Sequence, residues 1–327
     1  MRHVLLRAAL AASLVISSVA AKAATAWECY VYNPLVTQPS VAAVSKMIDE
    51  IKEKTHGDLT IALHLGGSLP IKADNITAAV ADNVVQIADD GFATGTIPIS
   101  GLLRLPMLIQ SEAEMKKAME IVSPYLQAAY NKRGIEVLAQ YSYPVQVIWG
   151  RKKITGLDDI KGLKLRVTSV EQGEFIRRFG GVSLTLGAPD VAAALDRGVV
   201  EGALTASSGG GMAWHDLLKY RYAYPTSWVN STYIVNKDAM SKLPPDEQKI
   251  VREAATKWAA WAITEMDRVE DELTAQWGKD GMVLADPTQE DIKRGTEAMK
   301  SYWDGWAKAH GPDAVAAMQK IRAAVGR

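Results

Sequence analysis

The sequence predicts an α/β protein with two lobes, in each of which helices flank a mainly parallel β-sheet. Strand-like and helix-like segments alternate between residues 27 and 88, and the alternation resumes between residues 163 and 205. Connections of this length imply right-handed crossovers, which place successive strands parallel in one sheet. Two such units predict two lobes with a cleft between them. The almost wholly helical chain after Pro244 predicts helices that span both lobes.

In the first unit, short apolar segments are separated by stretches in which apolar residues recur at helical spacing. The first helix ends at His56-Gly57, because glycine favours the backbone conformation that stops a helix. The predicted strands are Trp27–Tyr32, Leu59–Leu65, Val84–Ala88 and Gly134–Ala139, and the predicted helices are Val41–Lys54, Asn75–Ala81 and Ser111–Val122.

The second unit begins after the stretch that ends at Trp149. Its predicted strands are Leu163–Val167, Val182–Thr185 and Gly202–Thr205, and its predicted helices are Val170–Phe179 and Pro189–Leu195. The glycine-rich Ser208–Gly211 lacks the Lys-Ser/Thr that completes a phosphate-binding loop, so we expect a flexible loop at the rim of the cleft. A long amphipathic helix is predicted from Glu247 to about Trp277.

The first 23 residues have the composition of a secretory signal peptide. Arg2 and Arg7 flank the start of an apolar run that is too short to cross a membrane, and Ala21-Lys22-Ala23 is a small-x-small cleavage site. We therefore expect residues 1–23 to be removed and the mature protein to be soluble and exported.

Composition excludes several classes of protein. Outside the signal peptide the acidic residues outnumber the basic ones by three, and the basic residues are scattered, so we expect no nucleic-acid partner. Cys29 is the only cysteine and the five histidines form no pairs at helical spacing, so we expect no disulfide, no metal site and no cofactor. No Gly-x-Ser-x-Gly motif is present, which disfavours a serine hydrolase.

Gly156–Val167 is the most informative segment for function. A charged turn leads into a strand whose leucines and valine face one way and whose Arg166 faces the other. A guanidinium in an apolar strand is costly unless an anion meets it, and its planar fork suits a carboxylate. The residues alone leave open an arginine on an edge strand that reaches solvent, or one paired with an internal Asp or Glu.

Five segments follow one another in an order typical of one family. They are Ile51–Gly57, Leu105-Pro106 before an acidic helix, Gly162–Val167, Ala194–Gly202 and Val235–Gln248. Through them the chain, from about Trp27 to its end, resembles the solute-binding proteins of TRAP (tripartite ATP-independent periplasmic) transporters, the DctP family.

The resemblance implies a periplasmic binding protein of the Venus-flytrap type, which closes on an organic acid and delivers it to the membrane subunits of the transporter. It implies a first lobe of residues 24–143 together with 230–268, and a second lobe of residues 144–229 together with 269–327. We expect a periplasmic monomer without catalytic residues.

The resemblance also implies ligand contacts. Arg166 occupies the position of the arginine that grips the ligand carboxylate in the family. Thr205 follows the turn after which an asparagine is common, and Ser207 lies in the same segment. Asn33, just after the first strand, is a further expected hydrogen-bond partner. For Thr205 and Asn33 the alternatives are a strand cap and an Asn-Pro turn.

The chain departs from the family at two positions that suggest a less polar or differently shaped ligand. Val145, beside the expected ligand contact Gln146, stands where many members carry a second arginine, and Ala188 stands where an aromatic residue is common. Tryptophans on segments that border the cleft could then form apolar walls for an apolar or aromatic monocarboxylate, or could simply belong to the core. These are Trp149, Trp214 and Trp228, of which Trp149 and Trp228 are the expected ligand contacts.

Three competing functions remain open from the sequence. An exported carboxylate-processing enzyme would need an acid–base pair at the cleft, for which only Asp89, Asp90 and His215 are candidates. A binding protein of an ATP-driven (ABC) importer and a sensor of the same fold are the others.

Overall fold

The structure, a computed structural model that describes residues 24–327, contains two β-sheets flanked by helices. The predicted signal peptide, residues 1–23, lies outside the described residues. Within residues 24–327, no helix is both long enough and apolar enough to cross a lipid bilayer. The predicted α/β fold with two sheets is confirmed.

The strands are, in chain order, β1 (Thr25–Val31), β2 (Leu59–His64), β3 (Ile87–Asp90), β4 (Ile135–Ser142), β5 (Gln146–Gly150), β6 (Lys164–Val167), β7 (Val182–Thr185), β8 (Gly202–Thr205), β9 (Tyr220–Ser227), β10 (Asn230–Asn236) and β11 (Val283–Ala285). The α-helices are α1 (Pro39–Lys54), α2 (Ile76–Ala81), α3 (Glu112–Asn131), α4 (Val170–Arg178), α5 (Ala188–Asp196), α6 (Met212–Trp214), α7 (Lys237–Ser241), α8 (Pro245–Lys279), α9 (Gln289–Ala309) and α10 (Pro312–Val325).

Both sheets are mainly parallel. The first has the strand order β2-β1-β3-β10-β4 and the second the order β11-β9-β5-β8-β6-β7. Among the described strands, β10 in the first sheet and β5 in the second run against their neighbours. Each of these two strands is the first that the chain forms after it crosses from one sheet to the other.

The two crossings lie side by side and form a hinge. The chain passes from β4 to β5 through residues 143–145 and returns from β9 to β10 through residues 228–229. The backbone N–H of Tyr143 donates to the carbonyl of Val229 at 2.8 Å, which ties the two passages together. The cleft between the sheets therefore has two hydrogen-bonded connections at its base.

The long helix α8 is a third connection. Its first part packs on α1 and β4 of the first sheet, and its later turns contact residues 207–211 beside the second sheet. Glu270 on α8 accepts hydrogen bonds from the backbone N–H and the hydroxyl of Ser208, at 2.7 and 2.8 Å. Because the helix touches both sides of the cleft, it limits how the lobes can move.

The predicted lobe boundaries stay a prediction. The strands of the first sheet all belong to residues 24–143 and 230–268, and those of the second sheet to residues 144–229 and 269–327. The C-terminal helix α10 lies in the part predicted for the second lobe, but it packs on α3 beside the first sheet.

Two predicted segments differ in the structure for local reasons. The third strand was expected over Val84–Ala88, but Asn83 adopts a left-handed conformation (φ 57°) and Val84 still donates to the carbonyl of Ala79 at the end of α2. Strand β3 therefore begins only at Ile87. The expected flexible loop over Ser208–Gly211 belongs to a wide helical turn, Ser207–Gly211, whose serines are tied to α8.

Two adjacent carboxylates at the end of β3 are buried among hydroxyl groups. Asp89 accepts hydrogen bonds from Tyr141 at 2.7 Å and from Ser231 at 2.5 Å, and Asp90 accepts from Thr77 at 2.5 Å. Burial raises the pKa of Asp89 to about 7, with a smaller contribution from the charge of Asp90, and the two hydroxyl donors act in the opposite direction. Asp89 thus joins β3 to its neighbour β10 and to β4, one strand further, and Asp90 joins β3 to α2.

Replacement of Asp89 by asparagine should flatten the dependence of stability on pH. In the unfolded chain the carboxyl releases its proton near its ordinary pKa of 3.8, whereas the folded protein holds it up to about pH 7. Folding stability therefore falls as pH rises through this window, by a few kcal/mol at most since one pKa unit is about 1.4 kcal/mol. Thermal unfolding at about pH 5 and about pH 8 should show a larger pH effect in the wild type than in Asp89→Asn.

The exposed Asp82→Asn variant is the control, and it should keep the wild-type dependence. If the stability of the wild type and of Asp89→Asn changed equally with pH, the raised pKa of Asp89 would be contradicted.

Candidate functional site

A cavity of about 30 Å³ lies between the two sheets, next to the hinge. Residues from both sides of the cleft line it, so it exists as an enclosed space only while the lobes are together. The lining residues are Tyr32, Asn33, Gln38, Gly91, Phe92 and Tyr143 on the first side, Val229 in the returning hinge passage, and Gln146, Arg166, Thr168, Ala188, Thr205, Gly209, Gly210 and Trp214 on the second side.

Arg166 lies on β6, which is paired on both sides, with β7 and with β8. The arginine is therefore not on an edge strand, and its side chain is 3% exposed. Its Nε donates to the carbonyl of Leu186 at 3.0 Å. Within residues 24–327, its two terminal nitrogens make no hydrogen bond, and no Asp or Glu lies within 4.0 Å as an ion-pair partner. The internal pairing left open by the sequence is thus not observed there.

Two aromatic rings hold the Arg166 guanidinium from opposite sides of the cleft. The central carbon of the guanidinium lies 5.0 Å from the ring centre of Trp214 and 5.9 Å from that of Phe92. Cations are attracted to the faces of such rings. The rings stabilise the charge and leave the hydrogen-bonding fork free to bind an anion.

Arg166 is charged at neutral pH in spite of its burial. Loss of hydration lowers the pKa of its guanidinium to about 9, the nearby Tyr32 opposes that effect, and the positive charge of Arg104 adds to it. A bound carboxylate would compensate the buried charge directly.

A polar cluster faces Arg166 from the first side of the cleft. The hydroxyl of Tyr143 accepts hydrogen bonds from the hydroxyl of Tyr32 and from the side-chain amide of Asn33, both at 2.9 Å. Gln38, nearby, has an amide oxygen that is buried and without a hydrogen-bond partner in the described part of the chain. A ligand with a polar group opposite its carboxylate would find partners here.

The second side of the cleft contributes Gln146 and Thr205. The amide nitrogen of Gln146 donates to the carbonyl of Pro144 at 2.8 Å, and the hydroxyl of Thr205 accepts from the backbone N–H of Gly210 at 2.9 Å. Gly210 must be glycine, because a Cβ at this position would lie 2.1 Å from the ring of Trp214. The glycine-rich turn thus allows Trp214 to reach the cavity.

Four of the seven residues expected from the sequence line the cavity together: Arg166, Thr205, Gln146 and Asn33. Trp149, Trp228 and Ser207 do not. The Trp149 indole is fully buried, donates to the carbonyl of Thr205 at 3.0 Å and packs against Trp277, so it supports Thr205 from behind.

Trp228 and Ser207 are also held away from the cavity by hydrogen bonds of their side chains. The Trp228 indole donates to the carbonyl of Ile109 at 3.0 Å and lies in the core beside the hinge. Ser207 is turned towards α8, where its hydroxyl and that of Thr274 are 2.6 Å apart. The aromatic walls are instead Phe92 and Trp214.

None of the acid–base candidates for an enzyme lines the cavity. Asp89 and Asp90 instead accept hydrogen bonds from the hydroxyl groups of Tyr141 and Thr77, respectively. His215 stacks on Trp277, with ring centres 4.5 Å apart, and lines a separate surface depression.

Arg104 is an important residue that the sequence reasoning missed. It is 1% exposed and lies behind the cavity wall. Its guanidinium donates to the carbonyls of Gly91 and Asn230, at 2.6 and 2.5 Å, and weakly to the hydroxyl of Thr168 at 3.5 Å. It therefore joins the end of β3, the start of β10 and the end of β6. The signal was an arginine inside the apolar stretch Leu102–Leu105.

Comparison with known proteins places the site in a family context. The model of the DctP family, described as bacterial extracellular solute-binding protein, family 7, matches residues 32–309. The ectoine-binding periplasmic protein TeaA of Halomonas elongata is 23% identical over 214 residues, and the match spans 61% of each chain. A solute-binding protein of Sulfitobacter sp. (strain NAS-14.1) is 22% identical over 80% of this chain and 81% of its own.

Solved structures share the fold. DctP7 of Bordetella pertussis, an extracytoplasmic solute receptor that binds pyroglutamic acid, is 26% identical with a TM-score of 0.85, over 91% of this chain and all of its own. DctP6 of the same organism, also a pyroglutamic acid receptor, is 25% identical with the same TM-score over 91% and 99%. A TRAP solute-binding protein of Roseobacter denitrificans with bound β-D-glucuronate is 21% identical, with a TM-score of 0.82 over 91% and 99%.

Replacement of Arg104 by methionine should destabilise the folded protein strongly. The change leaves two buried carbonyls without their donor, and the loss of a buried, hydrogen-bonded charged group costs about 2–5 kcal/mol. Denaturation in urea should give a correspondingly lower midpoint for Arg104→Met.

Arg197→Met is the matched control, because Arg197 is exposed and donates to one carbonyl of its own helix. If both variants unfolded at the wild-type midpoint, Arg104 would not join the three segments as described.

Proposed function

Since the chain belongs to the DctP family of bacterial extracellular solute-binding proteins, we propose that it captures a compact carboxylate between its lobes and delivers it to the membrane subunits of a TRAP transporter. Its role is substrate binding, as in the TRAP solute-binding proteins that share its fold. The carboxylate, the transporter subunits and the periplasmic location are the parts that we propose.

The main support for the proposal is that the described chain places no opposite charge beside the buried guanidinium of Arg166. A guanidinium that is 3% exposed, held by one carbonyl and two rings, has lost most of its hydration without gaining a counter-charge within the described chain. A carboxylate can accept two parallel hydrogen bonds from the terminal nitrogens, and such pairs are short and strong. We infer that the ligand supplies the missing negative charge.

The rest of the cavity supports a small ligand with one charge. The cavity of about 30 Å³ is close to the volume of one water molecule, so the lobes must separate to admit even a compact carboxylate. Ala188 and Val229 leave part of its wall apolar. Tyr143, Asn33 and Gln146 offer hydrogen bonds to a neutral polar group on such a ligand. Pyroglutamate, the ligand of the two Bordetella pertussis receptors, has this character and is the first compound to test.

Capture would proceed through closure of the lobes. Arg166, Thr205 and Gln146 lie on the second side of the cleft and Asn33 and Tyr143 on the first, so a ligand in the cavity contacts both sides only when they are together. A ligand shifts such an equilibrium by the affinity that it gains in the closed state. The closed form would be the one that the membrane subunits recognise, and the protein itself needs no chemistry.

Replacement of Arg166 by alanine should abolish useful ligand binding while the fold persists. Removal of one partner of a buried charged pair costs about 2–5 kcal/mol, which corresponds to a loss of affinity of roughly thirty- to several-thousand-fold. Isothermal calorimetry with pyroglutamate and other small carboxylates should show this loss, with thermal unfolding as the test of folding.

Lys164→Ala is the matched control, because Lys164 lies on the same strand with its side chain exposed. Wild-type affinity in Arg166→Ala, with a ligand confirmed to bind the wild type, would show that the carboxylate is bound elsewhere.

A further inference from the structure

A second and much larger cavity, of about 500 Å³, lies beside the ligand cavity and also between the lobes. Its lining is mostly apolar, and residues from both sides of the cleft contribute. The first side provides, among others, Tyr32, Leu69, Ile71 and Phe92, and the second provides Leu186 and Pro189.

The two cavities share the side chains of Tyr32 and Phe92 as a common wall. These rings meet edge to face, with centres 5.2 Å apart, and Phe92 is 7% exposed. On the ligand side, Phe92 faces the guanidinium of Arg166 at 5.9 Å. A molecule bound to Arg166 therefore meets the Phe92 ring before it could reach the second cavity.

The part of the wall on the opposite lobe is held in place. The carbonyl of Leu186 accepts the Nε hydrogen bond of Arg166, and the residues on either side of Ala188 line the second cavity while Ala188 lines the first. At the outer rim the lobes are already close, since a Cβ at Gly187 would lie 3.2 Å from that of Ala73. Tyr32, the other shared ring, donates its hydroxyl to Tyr143, so Phe92 is the part of the partition that a single substitution removes without breaking a hydrogen bond.

We propose that Phe92 determines the length of the ligand. In the wild type the ring closes the ligand cavity and excludes carboxylates with an apolar tail. With the ring removed, the tail of a straight-chain carboxylate extends into the second cavity, where Leu69, Ile71 and Pro189 are apolar partners. This inference rests on the proposed function, because it takes the carboxylate of the ligand to be bound at Arg166.

The test compares Phe92→Ala with the wild type by calorimetry, with pyroglutamate, butyrate, hexanoate and octanoate as ligands. The wild type should bind pyroglutamate and show no gain along the straight-chain series. Phe92→Ala should gain about fourfold in affinity for each methylene that enters the second cavity. Leu69→Ala is the control: it enlarges the second cavity but leaves the partition intact, so its ligand range should remain that of the wild type.

If thermal unfolding shows that Phe92→Ala is unstable, Phe92→Leu serves as the second variant, because leucine leaves a smaller opening in the partition. Phe92→Leu should admit butyrate and hexanoate but discriminate against octanoate. The inference is overturned if the wild type already binds octanoate as tightly as pyroglutamate, if neither Phe92 variant gains affinity along the series, or if Leu69→Ala gains as much.

These measurements distinguish a failure of the proposed function from a failure of the role of Phe92. Pyroglutamate binding to the wild type without any extension of range in the Phe92 variants would overturn the role of Phe92 and leave the proposed function in place. Failure of the wild type and all variants to bind any of these carboxylates would overturn both.

Discussion

The structure depends on one electrostatic constraint: a buried guanidinium that the described chain leaves without a counter-charge. Removing a charge from water is expensive unless hydrogen bonds and an opposite charge replace the hydration. Arg166 has one carbonyl and the faces of two rings, which is partial compensation. The fold tolerates this because β6 is fixed on both sides by β7 and β8, so the side chain has no route to solvent along an open edge. The affinity for an anion arises because a bound anion supplies the opposite charge that the described chain does not place beside Arg166.

The hinge explains how such a site can be both buried and accessible. Two short passages and the helix α8 join the lobes, and the residues around the cavity come from both sides of the cleft. Arg104 contacts Gly91, Asn230 and Thr168, and so joins the first sheet, the returning strand and the strand that carries Arg166. Two arginines therefore act at the base of the cleft: Arg104 stabilises the arrangement of the segments, and Arg166 faces the cavity.

The sequence predicts those features of the fold and of the candidate site that depend on local patterns of residues. Val182–Thr185 and Gly202–Thr205 agree with the predicted strands, and the alternation of side chains placed Arg166 on the opposite face of its strand from Leu165 and Val167. The family resemblance, confirmed over residues 32–309, pointed to Arg166 and Thr205, and Asn33 was expected from its place after the first strand. These three residues and Gln146 line one cavity.

What could not be predicted depends on contacts between distant segments. Trp149 and Trp214 are both buried tryptophans near the cleft, and only the glycine at position 210 and the hydrogen bond of Trp149 to Thr205 decide which of them faces the cavity. Phe92 has no sequence signal that separates it from core residues, and the apolar stretch around Arg104 marks that arginine without indicating its distant partners Gly91 and Asn230. The late start of β3 follows from a single left-handed asparagine.

A crystal structure of the protein with a bound compact carboxylate would test the central claim most directly. The account predicts both carboxylate oxygens within about 3 Å of the terminal nitrogens of Arg166, with the remainder of the ligand between Phe92 and Trp214. A ligand whose carboxylate points away from Arg166, or a guanidinium paired with an Asp or Glu of the protein in that crystal, would contradict it.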